Sequence, residues 1–195
     1  MAENREVVLA FGAGAILASL GWRWLNDQRK QKQAADAMGP PTLLRRSTVL
    51  VSDMEASLKL YRDVLELEVI YDKVLPIGGR GLPTGVFDTQ GRLVFLRSHE
   101  DHKVGVLGLL QYLDKGGVPR PDSPRRQLKT GDQVLLMNTS KVMERMSKLR
   151  SLPGVHVQSE GTVSKYPAVS GGVVTVLGNS FFGPDGEFVE LNEVY

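Results

Sequence analysis

Chemistry in this chain has to come from few residue types. There is no cysteine, which removes disulfides, thiolate metal sites and cysteine nucleophiles together. The three histidines are His99 and His102, in the charged stretch SHEDHK, and His156, between Val155 and Val157. Two imidazoles are too few donors for a tetrahedral zinc site, so His99 and His102 read as an exposed hairpin. His156 lies in an alternating stretch and faces either a pocket or solvent; a lone histidine more often has no catalytic duty. No nucleophile, histidine and carboxylate of hydrolase type can be picked out, and GVLGLL at 105–110 belongs to an apolar run instead of a phosphate cradle. A net charge of +2, from 24 Lys and Arg against 22 Asp and Glu, comes without an aromatic basic stripe, so nucleic acid is not expected as a partner.

The elements that must position any site fall into three parts. With 42% apolar residues among 195, the chain can bury a core. Ahead of that core, VVLAFGAGAILASLGW at 7–22 carries no charge, and Arg23, Trp24 and Leu25 extend it to a basic and aromatic boundary. That length, about 17 residues or slightly more, is the lower limit for a spanning helix, so a single-pass anchor over about 7–25 is expected. A cleaved signal peptide would carry its positive charges before the apolar run; here Arg23, Arg29, Lys30 and Lys32 follow it. The positive-inside rule then puts the rest of the chain on the cytoplasmic side, or the equivalent side of an organelle. Gly14 with Ala18, and Ala15 with Ser19, have the small-residue spacing that admits a second transmembrane helix as partner. A basic linker closes at Gly39, Pro40 and Pro41, so residues 1–41 form the anchor region and 42–195 the globular domain.

Within the domain one pattern occurs twice. A β-branched strand over 44–51 leads to Asp53 as a helix cap, and Leu58, Tyr61, Val64 and Leu65 share one helical face. Strands are predicted at 67–75, 92–97 and 104–113. After a proline-rich loop the order restarts: a strand at 132–138, Ser140 as the cap of a helix bearing Val142, Met146 and Leu149, then strands at 155–158, 172–182 and 187–194. The two modules, about 43–114 and 131–195, are each too small to close a core alone. An α+β domain of two βαβββ modules follows.

Two motifs carry a resemblance. VSDMEASLKLYRDVLELEV resembles the first strand-to-helix passage of the vicinal-oxygen-chelate superfamily of glyoxalases, extradiol dioxygenases and antibiotic-resistance proteins; Leu60 replaces its usual aromatic before Tyr61, and Glu66 its usual glycine. FFGPDGEFVELNEV is similar to the family's closing hairpin, in which a Pro-Asp-Gly turn delivers a strand bearing a glutamate. The resemblance implies a glyoxalase-like fold over 44–195. It further implies a cup in which four strand positions hold one divalent ion, here Arg46, Gly108, Gln133 and Glu190. Only Gln133 and Glu190 carry donor atoms for a metal; Gly108 has no side chain and Arg46 puts a permanent cation in the ion's place. No cofactor is therefore expected. Arg46 facing Glu190 would neutralise it as an ion otherwise does, leaving a small-molecule site on Arg46, Gln133 and His156; an Arg46 pointing outward from a strand edge is the competing arrangement. The expected function is a membrane-anchored, non-catalytic small-molecule-binding protein or an accessory subunit of a membrane complex. The alternative is a metal-dependent lyase or dioxygenase, with Glu190 as base or ligand.

Overall fold

The computed structural model describes residues 30, 44–78, 81–99, 105–114, 117–118 and 125–195. The expected anchor and linker, and His102, lie outside the described residues apart from Lys30 and the domain's first residues. No helix among the described residues is long and apolar enough to cross a membrane.

Residues 45–195 form one compact unit. Its first module runs β1 (Arg46–Leu50), α1 (Met54–Leu58) continuing into a π-helical turn (Lys59–Val64), β2 (Glu68–Ile77), β3 (Thr89–Arg97) and β4 (Val106–Tyr112). The second runs β5 (Val134–Asn138), α2 (Val142–Leu149), β6 (His156–Pro167), β7 (Val173–Phe182) and β8 (Phe188–Val194). The sheets have matching orders, β1-β4-β3-β2 and β5-β8-β7-β6. In each, the first strand lies parallel to the last, and the remaining pairs are antiparallel. The doubled pattern in the sequence is thus a doubled fold.

Each helix forms where its cap and its apolar face agree. Asp53 accepts hydrogen bonds from the Glu55 and Ala56 backbone N–H groups at 3.0 and 3.1 Å, holding the first turn of α1. The expected cap of α2 shifts by one residue: Lys141, not Ser140, occupies that position, and no side chain caps the turn. β6 reaches from His156 to Pro167, well beyond the expected end at 158, because two irregularities let the strand continue past its breaks. At the second, Gly161 takes a φ of 68°, and its N–H is bonded at 2.9 Å by the Asn179 side chain, which replaces the missing ladder bond.

One apolar core serves both modules. Leu58, Tyr61, Val94 and Leu109 from the first pack in the same cluster as Val142, Met146, Phe181 and Leu191 from the second. Polar bonds cross the same junction. Arg145, on α2 and only 9% exposed, donates to the Val64 carbonyl and the Glu66 carboxylate of the other module and to Thr139 of its own. Tyr61 donates to Glu187 at 2.9 Å, and the Ser52 backbone N–H donates to Asp185 at 3.1 Å. Burial is the main cause that raises the pKa of Glu187. The Pro-Asp-Gly turn is therefore a joint between modules as well as a hairpin.

Glu66 has a φ of 59°, in the left-handed region that favours glycine. This is the position where the resembled motif carries glycine. Its carboxylate meets Arg145 at 2.9 Å, so an interaction glycine cannot make is gained where a side chain is strained.

Candidate functional site

Strand register decides which residues share a face. Both β1 and β5 begin the same distance ahead of the helix that follows, Arg46 before Met54 and Val134 before Val142. The modules therefore match Arg46 to Val134 and Thr48 to Leu136. Ladder partners agree, since Thr48 pairs with Gly108 and Leu136 with Glu190. The second-module equivalent of Arg46 is Val134, one residue on from the Gln133 that the sequence pattern selects. The error came from the cap: counting back from Ser140 instead of Lys141 moves the register by one, which turns a side chain to the other face.

On the first sheet, the face opposite the core carries Arg46, Thr48, Phe95 and Tyr71. The Arg46 guanidinium carbon lies 4.3 Å from the Phe95 ring centroid, a cation–π contact, and Tyr71 stacks on Phe95 with centroids 5.0 Å apart. Register explains the stack: Phe95 is paired with both Gly108 and Tyr71. A Cβ on Gly108 would come within 2.6 Å of the Thr48 hydroxyl, so the position has no room for a ligand-bearing side chain as the strand stands. Among the described residues no ion pair joins Arg46 to Glu190. Arg46 is exposed, and its guanidinium lies over an aromatic ring of its own sheet.

The second sheet holds a groove of about 330 Å³ on the corresponding face. Glu190 lines it from β8, with Leu136 on β5, Ser180 on β7 and Asn192 two residues along β8. From β6 come Ser159, Thr162, Ser164 and Tyr166. Every residue lining the groove belongs to the second module. Arg46, Gln133 and His156 are not among them. Gln133 is exposed just ahead of β5, where its Oε1 accepts from the Ser47 hydroxyl at 3.0 Å and so links the modules. His156 opens β6 opposite Phe182.

Glu190 is half-buried, and Asn192 is 8% exposed; neither side chain makes a hydrogen bond or ion pair among the described residues. Asn179, by contrast, spends its amide on the sheet itself, accepting from Gly161 N–H and donating to the Leu191 carbonyl at 3.3 Å. The Ser159 and Ser180 hydroxyls bond one another at 2.9 Å. The hydroxyl row of β6 is the part of the site that the sequence reading missed. Its signal is the alternation of Thr162, Ser164 and Tyr166 with Val163 and Lys165, which marks a strand beyond Gln158.

No protein-family model matches this chain, and no curated protein matches it. Solved structures do. A glyoxalase family protein from Bacillus cereus superposes over 80% of this chain and 97% of its own, with a TM-score of 0.56 and 14% identity. The chain has the vicinal-oxygen-chelate fold. Glyoxalase I of Leishmania major, described as trypanothione-dependent, covers 78% of this chain and 87% of its own at a TM-score of 0.47 and 18% identity. The fosfomycin resistance protein FosX of Listeria monocytogenes covers 79% and 93% at a TM-score of 0.43 and 13% identity.

The divalent ion of metal-dependent vicinal-oxygen-chelate proteins can be tested against the residues present. The four register positions hold Arg46, Gly108, Val134 and Glu190: one carboxylate, one cation, one apolar side chain and one glycine without space for a larger residue. Hard dications need several oxygen donors. Among the described residues no three of His, Asp or Glu are gathered. The residues do not fit the metal.

Proposed function

We propose that this protein is a non-catalytic small-molecule-binding domain of the vicinal-oxygen-chelate fold, held at a membrane by its N-terminal segment. The observation that carries the reading is the set of residues at the four strand positions, where Glu190 alone could ligate an ion and Arg46 is engaged by Phe95. What is kept is a polar groove on the second sheet; what is missing is the donor set for metal-assisted chemistry. The uncharged run at 7–22 with its following basic residues supports the tether, and its Gly14, Ala15, Ala18 and Ser19 supply a close-packing face for another transmembrane helix. That face favours a second role as an accessory subunit of a membrane assembly.

The test is elemental analysis of the full-length protein, extracted in mild detergent and dialysed against zinc, manganese or nickel, beside Glu190→Gln. Wild type and variant should both hold far less than one ion per chain. A stoichiometric ion in the wild type that disappears in the variant overturns the reading and restores a metal-dependent enzyme. Extraction of the protein from membranes by high salt or carbonate without detergent would remove the anchor, and Gly14→Leu should weaken any co-purifying helix partner.

A further inference from the structure

We infer that the groove over the second sheet takes a compact organic ammonium ion bearing several hydroxyl groups, an aminopolyol in chemical class. The inference rests on the binding role proposed above and specifies its ligand. Charge comes first. Among the described residues Glu190 is the one charged side chain lining the groove, and no Lys or Arg lines it. A half-buried carboxylate with no ion-pair partner among the described residues is incompletely compensated by them, and a ligand ammonium group would supply a charge-assisted hydrogen bond. An anionic ligand would instead meet Glu190 at reduced dielectric with nothing to offset the repulsion.

Hydrogen-bonding capacity comes second. Asn192 is more than nine-tenths buried, lines the groove and has no partner among the described residues. Thr162 and Ser164 add hydroxyls that both donate and accept, which suits a ligand whose own hydroxyls do the same. Leu136 and Val176 supply apolar wall for the carbon skeleton. A volume of about 330 Å³ is at the small end for ligand sites, and matches a single sugar-sized ring.

Calorimetric titration of the full-length protein with glucosamine, glucose and glucuronate, which share a ring and differ in charge, tests the inference. Glucosamine should bind roughly tenfold more tightly than glucose, the ratio expected for one added charge-assisted hydrogen bond, and glucuronate should bind most weakly. Glu190→Gln should erase the preference, bringing glucosamine to within about twofold of glucose, and Asn192→Ala should weaken both; matching melting curves show that the variants are folded. Equal affinities for glucosamine and glucose, tighter binding of glucuronate, a preference that survives Glu190→Gln, or no binding of any probe would each overturn the ligand class. A metal-free protein lacking the preference loses only this inference, whereas a stoichiometric ion defeats the binding role beneath it.

Discussion

Arg145→Met should destabilise the domain by weakening the joint between its two modules. Arg145 is only 9% exposed, and its guanidinium reaches three partners: Thr139 Oγ1 at 2.8 Å, the Val64 carbonyl at 2.8 Å and Glu66 at 2.9 Å. Methionine keeps most of the aliphatic stem, so packing changes little. The loss is polar. The Val64 bond is buried, and stranding that carbonyl costs about 1–3 kcal/mol. Losing the Thr139 bond costs about 1 kcal/mol more, while the Glu66 ion pair reaches water and contributes least. A total of about 3 kcal/mol corresponds to a melting temperature lowered by roughly 6–12 °C for a domain of this size. Urea denaturation followed by circular dichroism would read it as a lower midpoint at unchanged slope. A midpoint within about 0.5 kcal/mol of wild type would refute the claim that this side chain holds the modules together. So would an equal loss in Glu66→Gln, because then the ion pair, and not the buried carbonyl, would carry the effect.

Two further perturbations probe the face and the joint. Gly108→Ala sets a Cβ 2.6 Å from Thr48 Oγ1 and should cost about 1–3 kcal/mol; thermal melts should show most of it recovered when Thr48→Ala is added, and no recovery would mean that the clash lies elsewhere. Glu187 has a folded-state pKa raised mainly by burial, so its contribution to stability is fully present below the ordinary carboxylate value of 4.5 and is lost as pH rises through the raised folded value. Wild type should therefore lose stability relative to Glu187→Gln as pH rises above the ordinary carboxylate value of 4.5, and a difference in urea midpoints that stays flat with rising pH would show that the carboxylate is not desolvated.

The fold was legible because its two strongest signals are local. An apolar face at helical spacing specifies α1 through Leu58, Tyr61 and Val64, all of which are buried, and the Pro-Asp-Gly turn specifies the β7–β8 hairpin. Repetition of the same order then made the pairing of modules a consequence of core size. Less legible were features that depend on partners distant in sequence. The continuation of β6 past Gln158 needs Asn179 to bond Gly161, eighteen residues away, and nothing near Gly161 in the chain announces it. Arg145 looks like an exposed charge on an amphipathic helix until Val64 and Glu66, on the other module, are brought to it.

How the candidate site residues fall in the structure is a matter of strand geometry. Glu190 was selected because a motif fixes its distance from a turn, and it lines the groove of the second sheet. Gln133 was selected by counting back from a serine with the chemistry of a helix cap, yet α2 begins without a side-chain cap, and Lys141 stands at that position. A strand reverses its faces at every residue, so an error of one at the helix start exchanges Val134 for Gln133 and an apolar position for a polar one. The corrected register leaves the second module with a single donor at the two positions in question, and the first with none that has space or charge to serve. Arg46 does not need Glu190 as its counterpart, because Phe95 and Tyr71 already provide a stacked surface for the guanidinium. Among the described residues Glu190 is thereby left without a cation, and it is this uncompensated charge, more than the missing metal ligands, that the proposed selection for an ammonium ligand rests on.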